Sequence, residues 1–373
     1  MQILIQGTVF ENDRQRGIRR YFYELVKRVG LHYQIDIVLN NPAVAELPPN
    51  CTVVPRKEWH LASPRNYPLR AWRKFRRRFA PTELKGHTLF HPSFFTPSPV
   101  AHIPQVVTVY DMIAEKYEPH NLRGRESHIE DKRRSMEAAR KIICISESTA
   151  KDVKELYPDF ADKVCVIYLG TEHLLEKAAP ALAQRLGDPS GSARPYLLHV
   201  GERASYKNFG LILSAMSEPS WPAELQVVVA GAMPSRDELE VIHRLGLTSR
   251  IGFVGRASDR ELKDLYLAST GFVFPSLYEG FGLPLFEAQS LGTPVLCSDI
   301  PVFRETGGDS PLFFDARDPS ALANAAQRLM NMGTAYDRES GLRNVQRFRW
   351  DDCATMTSEV YRTVSADYRG SSV

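Results

Sequence analysis

Residues 274–295 read FPSLYEGFGLPLFEAQSLGTPV, and the fold is decided in this stretch. It begins inside GFVFPS (271–276), a short and nearly all-apolar run, which is how a strand reads when helices cover both of its faces. The chain then turns through EGFGLP, where Gly280 and Gly282 permit backbone conformations closed to other residues. LPLFEAQSL resumes with helical character and stops at Gly292, the usual kind of residue just past a helix end. A second apolar run, TPVLCS, follows at once. Strand, turn, helix and strand in close succession make the unit of a parallel sheet. Glu279 and Glu287 stand eight positions apart around the turn. A half-buried carboxylate is costly unless something donates hydrogen bonds to it, so the pair points to a polyhydroxyl ligand. The N–H groups of Phe281, Gly282 and Leu283 fall at the N-terminus of the helix, where partial positive charge favours an anion or a hydroxyl oxygen. Without that context, two glutamates read equally as an N-terminal charge and a solvated helical residue.

The same alternation runs along the whole chain. MQILIQG, QIDIVLN, CTVVP, HTLFHPS, QVVTVYDM, KIICIS and KVCVIYLG predict strands in the first half, with helices such as 16–29 and 125–140 between them. PYLLHVG, LQVVVAG, RIGFVG, GFVFPS, TPVLCS and LFFDA predict strands in the second half. Between Gly170 and Arg194 the composition shifts to Ala, Pro, Gly and Ser, which reads as an interdomain linker. A chain of 373 residues exceeds what one core usually serves. Two doubly wound, Rossmann-like α/β domains are therefore expected, over 1–180 and 181–350, with a C-terminal helix over 351–373 packing back on the first. Such sheets bind ligands at the carboxyl ends of their strands, so facing domains would form one deep cleft.

Hydrophobic residues make up 43% and charged residues 24%, an ordinary globular composition. The formal net charge of +3 does not imply a nucleic-acid partner, and no recognition motif accompanies it. Five scattered cysteines lack the spacing of a zinc site or a redox pair, so free thiols in a reducing, cytoplasmic setting are expected. No run approaches the roughly 18 apolar residues of a membrane span. RNYPLRAWRKFRRRFAP (65–81) places seven Arg or Lys beside Trp72, Phe75 and Phe79. At helical spacing this is either an interfacial helix for the anionic inner face of the cell membrane, or a solvated helix whose aromatics pack into its own domain. A nicotinamide-dependent dehydrogenase would carry a G-x-G-x-x-G turn after its first strand, and IQGTVFEND has none.

FPSLYEGFGLPLFEAQSLGTPV closely resembles the signature of the retaining GT-B glycosyltransferases of family 4, two glutamates separated by seven residues with a turn between them. By this resemblance Glu279 holds sugar hydroxyls and Glu287 a ribose diol. YLLHVGERASYKNFGLILSA resembles the first strand and helix of that family's C-terminal domain, where Arg203 and Lys207 would neutralise a leaving diphosphate. ENDRQRGIRRYFYELV resembles the N-terminal loop that meets the donor phosphates through Gly17 and Ile18, with Arg20 and Tyr21 opening a helix; Arg19 stands where many relatives carry a second glycine. HTLFHPSFFTP and VVTVYDMIAEKYEP resemble the acceptor side. Asp111 matches the family's aspartate and would orient the acceptor, whereas Tyr110 replaces the usual histidine. His91 either reaches the ligand or is a core or capping histidine. Ser146 and Ser148 read as helix caps. IGFVGRASDRELKDLYLAS resembles the region whose main chain, around Phe253, Val254 and Gly255, holds the nucleotide base.

The resemblance spans about residues 1–360. It implies a retaining hexosyltransferase with a nucleotide-sugar donor, GDP-mannose favoured over UDP-hexoses, GDP-fucose or dTDP-rhamnose. The acceptor would be a glycan or lipid-linked oligosaccharide in surface polysaccharide or lipopolysaccharide synthesis. No bound metal is implied. The alternatives are a non-catalytic sugar-nucleotide or glycan-binding module, and a UDP-sugar-dependent transferase or epimerase of the same fold.

Overall fold

Each apolar run quoted above carries one strand of an all-parallel sheet. The computed structural model describes residues 1–11, 16–39, 47–55, 86–96, 98, 103–117, 124–171, 194–203 and 205–370. The basic stretch 65–81 and most of the linker 170–194 lie outside the described residues.

The chain divides into two units. Unit 1 comprises Met1–Glu115, Pro119–Gly170 and Arg349–Val373, and unit 2 comprises Lys116–Glu118 and Thr171–Phe348. In unit 1, β1 (Gln2–Gln6), β2 (Gln34–Leu39), β3 (Thr52–Pro55), β4 (Leu89–Pro92), β5 (Gln105–Val109), β6 (Ala139–Cys144) and β7 (Val164–Val166) stand in the order β3-β2-β1-β4-β5-β6-β7. In unit 2, β8 (Tyr196–Val200), β9 (Gln226–Ala230), β10 (Ile251–Gly255), β11 (Gly271–Phe274), β12 (Val295–Ser298) and β13 (Leu312–Phe314) stand in the order β10-β9-β8-β11-β12-β13. Both are Rossmann-like sheets, each with the strand order reversing next to its first strand, at β1/β4 and at β8/β11. Burial follows position. β4, β5, β11 and β12 are buried along their whole length, while the edge strand β10 alternates between half-buried and exposed residues.

The helix Arg16–Val29 begins at Arg16, so Gly17 and Ile18 lie within its first turn and Arg20 and Tyr21 do not open it. Its buried residues Tyr21, Phe22, Leu25, Val26 and Val29 recur at helical spacing and define one apolar face. The last helix, Trp350–Gly370, also belongs to unit 1 and buries Trp350, Cys353, Tyr361 and Val364. Between these helices and the sheet sits His91, fully buried on β4. Its Nδ1 is 2.5 Å from the Tyr361 hydroxyl, and its Nε2 is 2.9 Å from Thr108 Oγ1, which also bonds the Tyr21 hydroxyl at 3.1 Å. His91 is thus a core histidine that fastens the last helix to β4, β5 and the first helix. Burial lowers its pKa to about 3, so it stays neutral. Where the chain leaves unit 1 at Gly170 there is no room for a side chain, because an added Cβ would lie 2.3 Å from Trp350 Cγ.

Local signals place the helix ends. Ser146 caps Glu147–Leu156 by accepting from the Thr149 N–H, whereas Ser148 lies inside that helix. Ser235 and Ser258 form reciprocal capping boxes with Glu238 and Glu261. None of the five cysteines is in a disulfide. Among the described residues no helix is long and apolar enough to cross a membrane.

Candidate active site

The reversal of strand order between β8 and β11 sets two loops side by side at the carboxyl edge of the unit 2 sheet. The first runs from Gly201 to Asn208, and the second from Pro275 to Gly282. Backbone and side-chain bonds join them: Leu277 N–H donates to the Tyr206 carbonyl at 2.8 Å, and Asn208 Nδ2 donates to the Pro275 carbonyl at 3.1 Å. Asn208 adopts a left-handed conformation with φ +56, which asparagine tolerates better than most residues. Gly282 has φ +95 and an added Cβ would lie 2.9 Å from Phe303, so the turn into the helix Leu283–Ser290 requires glycine. Gly292 lies just beyond that helix with φ +67.

Lys207 and Glu279, 72 positions apart, meet across these loops. Lys207 Nζ donates to Glu279 Oε1 at 2.6 Å, and the buried Ser276 hydroxyl donates to the same oxygen at 2.7 Å. Glu279 is only 9% exposed, so its charge needs both donors. The ammonium also lies 5.5 Å from the centre of the Phe274 ring. A carboxylate that accepts and an ammonium that donates, largely shielded from water, form a place where a hydroxyl and a phosphate oxygen can both be bound.

Arg203 forms a second cluster. Its Nε and Nη2 donate to Glu238 at 2.6 and 3.1 Å, while Nη1 donates to the Ala232 carbonyl at 2.7 Å and Nη2 to that of Met233 at 3.1 Å. The guanidinium also stacks 5.3 Å from the centre of the Phe253 ring. Arg203 therefore bridges the ends of β8, β9 and β10, and it holds Glu238 below the usual carboxylate range. For Arg203 to meet a diphosphate as well, a phosphate oxygen must share or replace Glu238. Both cations act on His199, which is buried on β8 with Nδ1 3.3 Å from the Val273 carbonyl oxygen. Burial first, then Lys207 and Arg203, lowers the His199 pKa to about 4, so no third positive charge forms beside them.

The pairing of β10 with β9 slips between Phe253 and Gly255, which makes Val254 the extra residue of a bulge. Its main chain leaves the ladder at the sheet's edge, and the residue is 44% exposed. Glu287 lies half-buried on the helix Leu283–Ser290, where its Oε2 accepts from the Tyr266 hydroxyl at 3.1 Å. Burial and the Glu287 charge raise the Tyr266 pKa well above its ordinary value, so the phenol remains a donor.

In unit 1, Asp111 follows β5. Its Oδ1 accepts from the Ile113 N–H at 3.0 Å. Tyr110 is buried, and its hydroxyl donates to the Ser93 carbonyl at 3.1 Å, tying the end of β5 to that of β4. The structure thus joins Lys207 with Glu279 and Arg203 with Phe253. Gly17, Ile18 and Asp111 are held separately in unit 1. Sequence reasoning missed Ser276 as a support for Glu279, Tyr266 as the partner of Glu287, and Glu238 as the partner of Arg203. Two of these left a local trace: Glu238 in the S-x-x-E pattern of its capping box, and Ser276 three residues before Glu279. Among the described residues, no three His, Cys, Asp or Glu side chains form a group able to hold a metal ion.

The loops at this edge approach one another closely. An alanine Cβ at Gly231 would lie 2.2 Å from the Gly201 carbonyl oxygen, whereas at exposed Gly210, in the helix Phe209–Ala215, it would meet nothing within 4 Å. Gly231→Ala is expected to destabilise unit 2 by about 2 kcal/mol or more through overpacking. Gly210→Ala is expected to stabilise it by up to about 1 kcal/mol through helix propensity. Guanidinium unfolding of both variants checks the opposite signs.

Comparison with known proteins gives two domain matches. The family described as glycosyl transferases group 1 matches residues 187–341, and glycosyltransferase family 4 matches residues 15–173. The chain is similar to the O-antigen chain mannosyltransferase B of Escherichia coli, 27% identical over 368 residues, covering 93% of this chain and 96% of that protein. Among solved structures, the sucrose-phosphate synthase of Thermosynechococcus elongatus superposes with a TM-score of 0.72 at 22% identity, over 98% of this chain and 99% of that one. Anabaena HepE in complex with UDP and glucose superposes with a TM-score of 0.71 at 16% identity, over 97% of this chain and 100% of that one. Both are likenesses of fold.

Proposed function

From the premise that this chain belongs to the glycosyltransferases of group 1 and family 4, we propose that it transfers mannose from GDP-mannose, with retention, to a hydroxyl of a glycan or lipid-linked oligosaccharide in surface polysaccharide synthesis. The observation that carries this reading is the Lys207–Glu279 pair at the β8/β11 reversal, a cation and a carboxylate placed for a diphosphate and a sugar. Mannose rests on the end-to-end similarity to the E. coli O-antigen mannosyltransferase.

In this reading unit 2 holds the donor. Glu279 and the N–H groups of Phe281, Gly282 and Leu283 bind sugar hydroxyls, and Glu287 accepts from the ribose diol. The main chain around Phe253 and Val254 meets the base. Lys207, with Arg203 once a phosphate oxygen displaces Glu238, stabilises the charge that grows on the diphosphate as the anomeric C–O bond breaks. In unit 1, the N–H groups of Gly17 and Ile18, in the first turn of their helix, donate to donor phosphate oxygens, and Asp111 orients the acceptor hydroxyl. The acceptor oxygen forms the new bond to the anomeric carbon on the face that the diphosphate leaves. The bonding pair departs with GDP, whose phosphate oxygen takes the acceptor's proton.

Thermal shifts with GDP, UDP, ADP, dTDP and their sugar conjugates test the donor, since a ligand that binds only the folded state raises Tm. A shift confined to GDP and GDP-mannose supports the proposal. A shift confined to UDP overturns the donor, and no shift at all favours a degenerate binder or a cleft that needs the acceptor. Transfer from radiolabelled GDP-mannose to octyl α-mannobioside, with the anomer of the product read by NMR, tests reaction and stereochemistry. Glu287→Ala is expected to weaken GDP binding by about tenfold, the worth of one charged hydrogen bond. Equal affinity by calorimetry would remove Glu287 from the ribose site.

A further inference from the structure

The Lys132 side chain, on the helix Arg125–Ala138 of unit 1, is 1% exposed, and that of its partner Glu115 is 6% exposed. Buried ion pairs are weak stabilisers, because desolvation offsets their attraction and apolar side chains of similar size often serve the fold as well. Lys132 Nζ donates to the Asp111 carbonyl at 3.0 Å and to Glu115 Oε2 at 2.9 Å, and it lies 5.3 Å from the centre of the Phe95 ring. From the start of the same helix, buried Arg125 donates through Nε to the Ala114 carbonyl at 2.6 Å and through Nη2 to the Glu115 carbonyl at 3.3 Å. Two cations of one helix therefore grip the carbonyls of residues 111, 114 and 115. Within that grip, Asp111 bonds the Ile113 N–H through Oδ1. Glu115 Oε1 is buried with no hydrogen-bond partner among the described residues.

We propose that Lys132, with Glu115 as its counter-ion, is a positioning residue for Asp111. It holds the backbone after β5 so that the second carboxylate oxygen of Asp111 is presented to the acceptor hydroxyl. This rests on the reading of Asp111 given above, and it adds that the orientation is imposed from the helix Arg125–Ala138.

The test uses the full chain with radiolabelled GDP-mannose and octyl α-mannobioside, and reads the partition between mannosyl transfer and donor hydrolysis. The double variant Lys132→Met/Glu115→Leu removes both charges while keeping the volume. It is expected to fold with a Tm at or above that of the parent, to bind GDP as the parent does, and to lower the transfer-to-hydrolysis ratio on the order of tenfold. Lys132→Arg, which retains the charge but alters the reach, is expected to show a loss in the same direction. A parental ratio in either folded variant overturns the inference. Asp111→Asn, run in parallel, separates the two layers. If it transfers normally, the reading of Asp111 fails and the inference falls with it. If it loses transfer while the Lys132 variants do not, the inference alone fails.

Discussion

Lys207→Ala is expected to lower turnover at least tenfold, and on the order of 10²-fold, with the fold intact. The ammonium sits 2.6 Å from Glu279 on a side chain that is 18% exposed, so its field is only partly screened by water. The diphosphate gains negative charge as the donor bond breaks, and an interaction that strengthens during this step acts on kcat more than on KM. Alanine also leaves Glu279 with Ser276 as its remaining donor at Oε1, and the uncompensated carboxylate repels the phosphates. Two comparisons isolate the cause. Lys207→Arg keeps the charge and is expected to retain more activity than alanine, though not all, because the planar fork differs from a compact ammonium. Lys207→Ala/Glu279→Gln removes the repulsion and is expected to bind GDP better than the single variant while remaining slow. An unchanged rate in Lys207→Ala would remove Lys207 from the diphosphate site.

Stability is expected to fall as pH drops from about 6.5, before ordinary carboxylates titrate. His91 in unit 1 and His199 in unit 2 have folded pKa values near 3 and 4 against an ordinary 6.5, in both cases chiefly through burial. Below pH 6.5 the unfolded chain binds protons that the folded chain refuses, so unfolding is favoured as acid is added. The stabilisation is complete above pH 6.5 and is lost progressively down to about pH 4 for His199 and about pH 3 for His91. At 1.36 kcal/mol per unit, each imidazole contributes on the order of 3–5 kcal/mol across its window. Urea unfolding at pH 7, 6 and 5 measures this slope above the carboxylate range. His91→Gln is expected to be less stable at pH 7, having lost its fit to Tyr361 and Thr108, and to show a slope shallower by about one proton for unit 1. A slope equal to the parent's would mean that His91 takes up its proton in the folded state.

Every strand could be read before the structure, because a parallel strand covered on both faces is a short apolar run bounded by polar residues, glycine or proline. QVVTV became β5 and VLCS became β12 with no more information than that. Helix ends that depend on neighbours three or four residues away were equally legible, among them the Ser146 cap and Gly292. The start of the first helix had two readings: the alternation of strands and polar segments gave 16–29, the observed span, whereas the resemblance to a loop around Gly17 placed its opening at Arg20, four residues later.

What could not be read locally are the partners. Lys207 meets Glu279 because β8 and β11 are neighbours in the sheet although β9 and β10 separate them in the chain. Arg203 finds Glu238 across 35 positions, Lys132 reaches Glu115 across 17, and His91 meets Tyr361 across 270. Propensity and capping act over one helical turn, so a sequence records where strands and helices begin and end. Sheet order is set by how all the apolar faces are buried together. That collective packing turns the alternatives left open for His91 into a core residue, and it gives Lys207, Arg203 and Glu287 partners that their own neighbourhoods do not name.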